Sequence, residues 1–336
     1  MGLNILRRFW PFIPFFERPF RKCGALLLTA FVGFVMAASQ PSKRSVHASA
    51  SSVFMGFRFP PIAFAFLAAF CFGAFNPLGK VITGQVHWLA YAALVCVVSA
   101  VLALLALAAF STRLSFDSNR WKDYLGLGLL GLAVPMVLTG LAFSLSPSIH
   151  VGLLLRVEAF FAVLYGVFLF REKLSQWQMS GIALGCFGAL LFSSGGFDIL
   201  SWAAVLLAAS LFASYLLFSK RLQGHDALSL VVIRFAVAAA WLLPLAFLAG
   251  VMPGNPPWLE IVVFSFFTFM VGTLSYTESV QHNGVWLTGA VTQFFAGVFG
   301  IAAGAWWLGE TFSALEWLAA GFILAGGLVV VLARRS

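Results

Sequence analysis

The stretch Phe168-Leu-Phe-Arg-Glu-Lys-Leu-Ser175 has a near copy later in the same chain, Trp306-Trp-Leu-Gly-Glu-Thr-Phe-Ser313. Each copy places a Glu between the end of one apolar segment and the start of the next, and small residues recur at matching positions further on. The two glutamates, Glu172 and Glu310, are 310 − 172 = 138 residues apart. This spacing predicts a chain made of two related halves.

The composition of the 336-residue chain is typical of a membrane protein. Hydrophobic residues make up 62% of it, charged residues 9%, and the mean hydropathy is +0.99, which leaves too little polar surface for a soluble globular protein. A membrane-spanning helix needs about 20 apolar residues, and ten such segments can be drawn. They are Pro61 to Gly79, His87 to Phe110, Tyr124 to Phe143, Pro147 to Phe170, Ser175 to Phe192, Asp198 to Phe218, Leu228 to Gly250, Trp258 to Val280, Gly284 to Leu308 and Ser313 to Ala333.

Five segments fall in each half, and the connections between them are too short for a soluble domain. An odd number of spans places the second half in the bilayer upside down relative to the first. The sequence therefore predicts an all-α membrane protein with ten transmembrane helices in two inverted five-helix repeats. Such repeats recur in secondary transporters, whose substrate site lies between the halves near the bilayer midplane.

The distribution of the basic residues predicts the orientation in the membrane. The formal net charge is +9, and Lys and Arg mark cytoplasmic loops. With the first segment starting in the cytoplasm, the inside positions are Arg58, Arg113, Arg120, Lys122, Arg171, Lys173, Lys220, Arg221, Arg334 and Arg335, whereas the outside connections hold Lys80. Both termini are therefore expected in the cytoplasm, and the host is expected to be the cytoplasmic membrane. No basic patch is interleaved with aromatic residues, so no nucleic-acid partner is predicted.

Residues 1–57 do not continue this pattern. They combine a basic start, an apolar run from Gly24 to Ala38 that is short for a span, and a Ser-rich stretch to Ser52. Three interpretations stay open: a true start of translation at Met55, a targeting segment, or an eleventh membrane-associated helix.

Three motifs occur in order along the chain: Phe72-Gly-Ala-Phe-Asn-Pro-Leu-Gly-Lys80 in the first span, Glu158-Ala-Phe-Phe-Ala-Val-Leu-Tyr-Gly-Val-Phe-Leu-Phe-Arg-Glu172 across the fourth, and Leu308-Gly-Glu310 followed by Gly321 to Gly327. Together they resemble the drug/metabolite transporter superfamily, in its ten-helix branch built from two EamA-type repeats. The resemblance covers roughly Pro61 to Arg335. It implies a first EamA repeat at 58–196 with helices 1–5 and a second at 197–336 with helices 6–10, which leaves residues 1–57 as an N-terminal extension.

The resemblance also implies a function. It implies a secondary-active transporter that exports small metabolites, such as amino acids or amphipathic compounds, by alternating access. Its partners would be a small-molecule substrate and the lipid bilayer, with proton coupling left open. One position departs from the family pattern, because many members carry an Arg in both the second and the seventh span. Here the seventh span has Arg234, but the equivalent position in the second is Cys96 (234 − 138 = 96), so a relative's specificity does not transfer.

Ionisable residues inside spans are costly in hydrocarbon and normally face a bundle interior or a cavity. Glu158 lies near the middle of the fourth span, where it could bind a substrate amine or take up a coupling proton. A structural ion pair is the alternative. Arg156 is two residues away, and residues i and i+2 point to different faces of a helix. Each is therefore expected to have another partner, Arg234 for Glu158 and Glu278 for Arg156. Snorkelling to the membrane interface is the alternative for Arg234.

Asn76, Tyr276 and Gln293 are further candidates for the lining of a central cavity. Asn76 precedes Pro77, which lacks a backbone donor, and broken helices often form binding sites in transporters. A kink used only for packing is the alternative. Glu172 and Glu310 are expected to cap or orient the starts of the fifth and tenth helices.

Glycines predict close packing of the fifth and tenth helices. They are Gly181, Gly185 and Gly188 in the fifth, and Gly321, Gly326 and Gly327 in the tenth. Small-residue faces let membrane helices approach closely, either within the chain or against a second copy, so the sequence leaves a homodimer open.

Other function classes find little support in the sequence. The spans hold no nucleophile with a base, no paired aspartates and no metal cluster, and the chain has no Walker-type loop. No enzyme, cofactor or metal site is therefore predicted. A non-transporting membrane scaffold or a channel is the alternative function.

Overall fold

The computed structural model describes residues 61–109, 114–170, 175–193, 198–222, 224–283 and 285–333. Residues 1–57, with the three interpretations of that segment, lie outside these ranges, as does Glu172 with its expected capping role. Within the described ranges, the regular structure is helical throughout and no strand is present.

The first part of the chain forms α1 (Pro61–Ala74), α2 (Asn76–Thr83), α3 (Trp88–Ala109), α4 (Trp121–Gly128), α5 (Val134–Leu145), α6 (Ser148–Leu154), α7 (Glu158–Phe170) and α8 (Gln176–Ser193). The second part forms α9 (Ile199–Arg221), α10 (Ala227–Leu248), α11 (Trp258–Phe264), α12 (Gly272–Asn283), α13 (Val285–Leu308) and α14 (Ala314–Leu332). Short 3₁₀ turns occupy Ser118–Arg120 and Leu155–Val157, and π-helical segments occupy Leu129–Ala133 and Ser265–Val271.

Seven helical stretches of the described chain are long and apolar enough to cross a membrane. They are Ile62–Thr83, Trp88–Ala109, Ser118–Leu145, Ile199–Ser219, Ala227–Leu248, Trp258–Val280 and Val291–Leu308. Helix α3 illustrates why these stretches suit a membrane. Its side chains are apolar on all sides of the helix, and those on the protein surface, such as Leu105, are apolar too. A helix of this kind is stable inside a core or a bilayer. The prediction of an all-α membrane protein is confirmed, whereas the total of ten spans stays a prediction.

The first span is broken where Asn76-Pro77 predicts it. Phe75 lies between α1 and α2, and Pro77 sits in the first turn of α2, where its missing N–H costs nothing. The backbone N–H of Leu78 bonds back to the Phe75 carbonyl. The break leaves Asn76 buried in the protein interior.

The fifth and tenth predicted helices, α8 and α14, pack against each other within the chain. A Cβ atom added to Gly188 would lie 2.8 Å from the Ala319 carbonyl oxygen, and one added to Gly326 would lie 2.6 Å from the Gly181 carbonyl oxygen and the Gly185 nitrogen. The two backbones meet because neither glycine carries a side chain. The small-residue faces thus join the two halves of one chain.

Glu310 corrects one sequence prediction, since it caps the start of the fourth span and not of the tenth. Its Oε1 accepts the backbone N–H of Ser148 at 2.7 Å, and its Oε2 accepts the Ser148 hydroxyl and the Ile149 N–H, each at 2.8 Å. Gly309, with φ +65°, turns the chain at the end of α13, a conformation that suits glycine. The tenth helix instead begins with a capping box between Ser313 and Glu316.

We expect Glu310→Gln to lower the free energy of unfolding by about 1–2 kcal/mol, because it removes the charge from three hydrogen bonds at a helix N-terminus. The thermal unfolding midpoint of the full chain in detergent would measure this loss. Glu260→Gln, the same change in the first turn of α11, is the control and should cost less than about 1 kcal/mol. Equal shifts in the two variants would contradict the capping role.

Candidate functional site

A cavity of about 110 Å³ lies among the helices of both halves. Its lining residues come from α1, α2, α3, α5, α7, α9, α10, α11, α12 and α13, and from the non-α turns between them. They are Phe72, Asn76, Tyr91, Met136, Thr139, Phe143, Leu155, Arg156, Glu158, Phe212, Tyr215, Arg234, Phe264, Thr268, Phe269, Thr273, Tyr276 and Gln293. All six residues predicted as substrate or coupling groups are among them, although their roles in binding stay a prediction.

Gln293 connects the two charged residues of the fourth span to the ninth. The Arg156 guanidinium donates from Nη1 to Gln293 Oε1 at 2.9 Å and from Nε to the Gly152 carbonyl, also at 2.9 Å. The Gln293 side chain also lies near enough to the Glu158 carboxylate to interact with it. Polar contacts of Gln293 with Arg156 and Glu158 thus join the two halves of the protein, and we refer to these three residues as the polar contact chain.

A 3₁₀ turn immediately before Glu158 changes the angle between the Arg156 and Glu158 side chains. The turn Leu155–Val157 is 3₁₀, and 3.0 residues per turn set positions i and i+2 about 120° apart around the axis, against about 160° in an α-helix. The angle between the two side chains is therefore smaller than a regular α-helix gives, and their pairing stays a matter for prediction. Both line the cavity, and their charges are near enough to interact. Glu278, predicted as the partner of Arg156, lies beside His282, with 3.6 Å between Oε1 and Nδ1.

Arg234 points into the protein and not to the membrane interface. Its residue is only 7% exposed, its Nη2 donates to the Gly131 carbonyl, and its guanidinium carbon lies 4.2 Å from the centre of the Tyr215 ring. Such a cation–π contact holds the plane of the guanidinium. The snorkelling alternative is therefore wrong, and the side chain is placed at the cavity wall.

Two π-helical segments border the cavity, and nothing in the hydropathy pattern predicts them. Leu129–Ala133 supplies the carbonyl of Gly131, which Arg234 uses, and Ser265–Val271 supplies Thr268 and Phe269 to the lining. They occupy related places in the two halves, since 129 + 138 = 267 lies inside the second segment. A π segment leaves carbonyls free of the regular helix pattern and often marks a functional site.

Several lining residues were missed by sequence reasoning. Tyr91, Thr139 and Thr273 are polar residues inside apolar spans, and that polarity is the signal that could have found them. Tyr215 bonds to Thr277 through its hydroxyl at 2.7 Å, and its ring lies 6.3 Å from that of Tyr276. In the described part of the chain, no three His, Cys, Asp or Glu residues come together as metal ligands would.

The sequence is similar to a family of transporters and to two proteins described as efflux pumps. The EamA-like transporter family matches residues 59–194 and again residues 200–332. A probable amino-acid metabolite efflux pump of Escherichia coli K12 is 26% identical over 204 residues, which is 55% of this chain and 67% of that protein. The protein of the same description from Salmonella typhimurium LT2 has the same identity and coverage. A crystal structure matches 83% of this chain and 100% of its own with a TM-score of 0.64 and 20% identity, a likeness of fold alone.

Proposed function

Because the chain belongs to the EamA-like transporter family of the drug/metabolite transporter superfamily, we propose that it exports amino acids or similar small metabolites across the cytoplasmic membrane by alternating access. It is an integral, multi-pass membrane protein, and its family is one of transporters. The observation that carries the proposal is the cavity between the halves, where Arg156, Gln293 and Glu158 form one polar contact chain. The two efflux pumps it resembles support amino-acid metabolites as the substrate class.

The proposed architecture has ten spans in two inverted repeats, the first at 58–196 and the second at 197–336, with both termini cytoplasmic. Related features recur in both halves at the 138-residue offset, among them the π segments and the contact of α8 with α14. Reporter fusions of alkaline phosphatase would test the orientation. We expect activity after Gln85 and Pro253, which lie outside in this topology, and none after Asp117 or Ser336. Activity at Asp117 would overturn the topology.

Closure of the outer side is supported by contacts between the halves. In the proposed orientation, Glu310 and the start of α6 lie at the outer end, where Lys80 also donates to the Phe143 carbonyl at 2.6 Å. Lys80 and Glu310 are near enough for their charges to interact. We infer that the contacts that join the halves, those of Glu310 with the start of α6 and with Lys80, separate when the cavity opens outward, so that a substrate can leave.

The test is efflux of labelled amino acids from cells that express the full chain. Loaded cells should lose label faster than cells that carry the empty vector, and the rate should saturate with internal substrate concentration. No flux of any compound, with the protein present in the membrane, would favour the scaffold alternative. Unsaturable flux with ionic current in a planar bilayer would favour the channel.

A further inference from the structure

The charges that line the cavity do not cancel. Its lining holds two guanidinium groups, those of Arg156 and Arg234, against one carboxyl group, that of Glu158, so at least one positive charge is left over. Glu158 lies within interaction range of Gln293 and of Arg156. The remaining cation is Arg234, whose guanidinium contacts the Gly131 carbonyl and the Tyr215 ring.

The unmet hydrogen-bonding capacity of the cavity belongs to donors. Four buried lining atoms have no hydrogen-bond partner among the residues that the structure describes: Arg234 Nε, Asn76 Nδ2, Tyr91 Oη and Thr139 Oγ1. Arg234 Nε and Asn76 Nδ2 can only donate, and the two hydroxyls can donate as well. Buried polar groups in native proteins are almost always paired, and leaving one unpaired costs about 1–3 kcal/mol. A ligand that fits this cavity must therefore bring acceptors.

The wall around these donors is largely apolar and aromatic. It includes Phe72, Met136, Phe212, Phe264 and Phe269. Such a surface favours the apolar body of a ligand, and buried apolar area stabilises binding by about 25 cal/mol per Å². A single uncompensated guanidinium matches one negative charge, whereas a phosphate dianion would remain half-neutralised.

We propose that Arg234 is the residue that binds the substrate, through a carboxylate, and that Glu158 serves as the counter-charge of Arg156 and not as the receptor of a substrate amine. The inference rests on the proposed export of amino-acid metabolites and names the group by which they are recognised. The Tyr215 ring and the Gly131 carbonyl hold the guanidinium, so that its Nε–H is left for the ligand. The ligand is thus a carboxylate with an apolar body.

Three related compounds test this assignment by calorimetric binding to the purified full chain in lipid nanodiscs. Phenylalanine carries both the carboxylate and the amine, 3-phenylpropionate lacks the amine, and phenylalaninamide lacks the carboxylate. We expect the first two to bind with Kd values within about threefold of each other, and the amide at least about tenfold more weakly, a difference of about 1.4 kcal/mol.

The variant Arg234→Gln should weaken both acids at least about tenfold and leave the amide unchanged. Arg234→Lys, which keeps the charge but loses the planar donor fork, should lie between, and it covers the case in which the Gln variant fails to fold. Arg221→Gln, at an exposed arginine that pairs with Asp123, is the matched control and should bind like the wild type.

The outcomes separate this inference from the proposed function. The inference is wrong if the amide binds as well as the acids, if Arg234→Gln binds the acids like the wild type, or if none of the compounds binds to folded protein. Carboxylate-dependent binding without efflux from cells would keep the inference and overturn the exporter. Efflux of an amino acid and its amide at equal rates would keep the exporter and overturn the inference.

Discussion

Replacement of Glu158 by Gln should reduce efflux at least about tenfold at matched membrane abundance, which corresponds to about 1.4 kcal/mol or more. The carboxyl group lies within interaction range of Arg156 and Gln293, so its loss leaves Arg156 without the negative charge that faces it in the cavity. Breaking one member of a buried ion pair costs about 3–5 kcal/mol. We expect transport to be lost because Arg156 moves from its place in the cavity wall. The thermal unfolding midpoint should fall as well.

The double variant Glu158→Gln with Arg156→Gln distinguishes a loss of stability caused by an unbalanced charge from a loss of transport caused by the missing carboxyl group. Removal of both charges restores neutrality between the partners, so the unfolding midpoint should recover most of its loss. Efflux should stay low, because the contact chain to Gln293 is no longer fixed by a charge. Undiminished efflux in the single variant would show that Glu158 has no part in transport. A double variant less stable than the single one would contradict the ion-pair explanation.

Gly326→Ala should lower the free energy of unfolding by about 3 kcal/mol, at the upper end of the cost of overpacking. The added Cβ would stand 2.6 Å from backbone atoms of Gly181 and Gly185 on α8, and backbone cannot move aside as a flexible side chain can. The two helices must then separate, which weakens the contact between the halves. The unfolding midpoint in detergent and the yield of monodisperse protein would measure the loss.

The neighbouring residue provides the matched control. A Cβ at Gly327 meets nothing within 4 Å, and alanine is about 1 kcal/mol better than glycine in a helix. Gly327→Ala should therefore be neutral or slightly stabilising. A loss of stability at Gly327 as large as at Gly326 would show that α8 and α14 do not meet as the structure has them.

Gly326 and Gly327 illustrate what the sequence can and cannot predict about helix packing. Gly321, Gly326 and Gly327 were predicted together as a packing face, yet a Cβ would be crowded at Gly326 alone of the three. Spacing along one helix reveals that small residues are present. It does not reveal which of them faces the partner helix, because the partner lies more than a hundred residues away in the chain.

Glu310 is a second residue whose partner only the tertiary structure determines. Its position in a repeated motif was recognised, but the motif suggested a local cap at the tenth helix. The structure instead brings its carboxylate to Ser148 and Ile149, 162 and 161 residues earlier. A carboxylate stabilises any helix N-terminus that it can reach, and only the packed structure decides which one is within reach.

The sequence by itself predicted the membrane character of the chain, the helix break at Asn76-Pro77 and the family. These follow from hydropathy, proline geometry and motif order, which are properties of contiguous sequence. The sequence also identified six polar residues in apolar spans, all of which line one cavity in the fold. The 3₁₀ turn beside Arg156, the Gln293 bridge and the inward direction of Arg234 depend on neighbours from distant helices. The tertiary structure decided these features, since a buried charge takes the orientation in which other segments supply its partners.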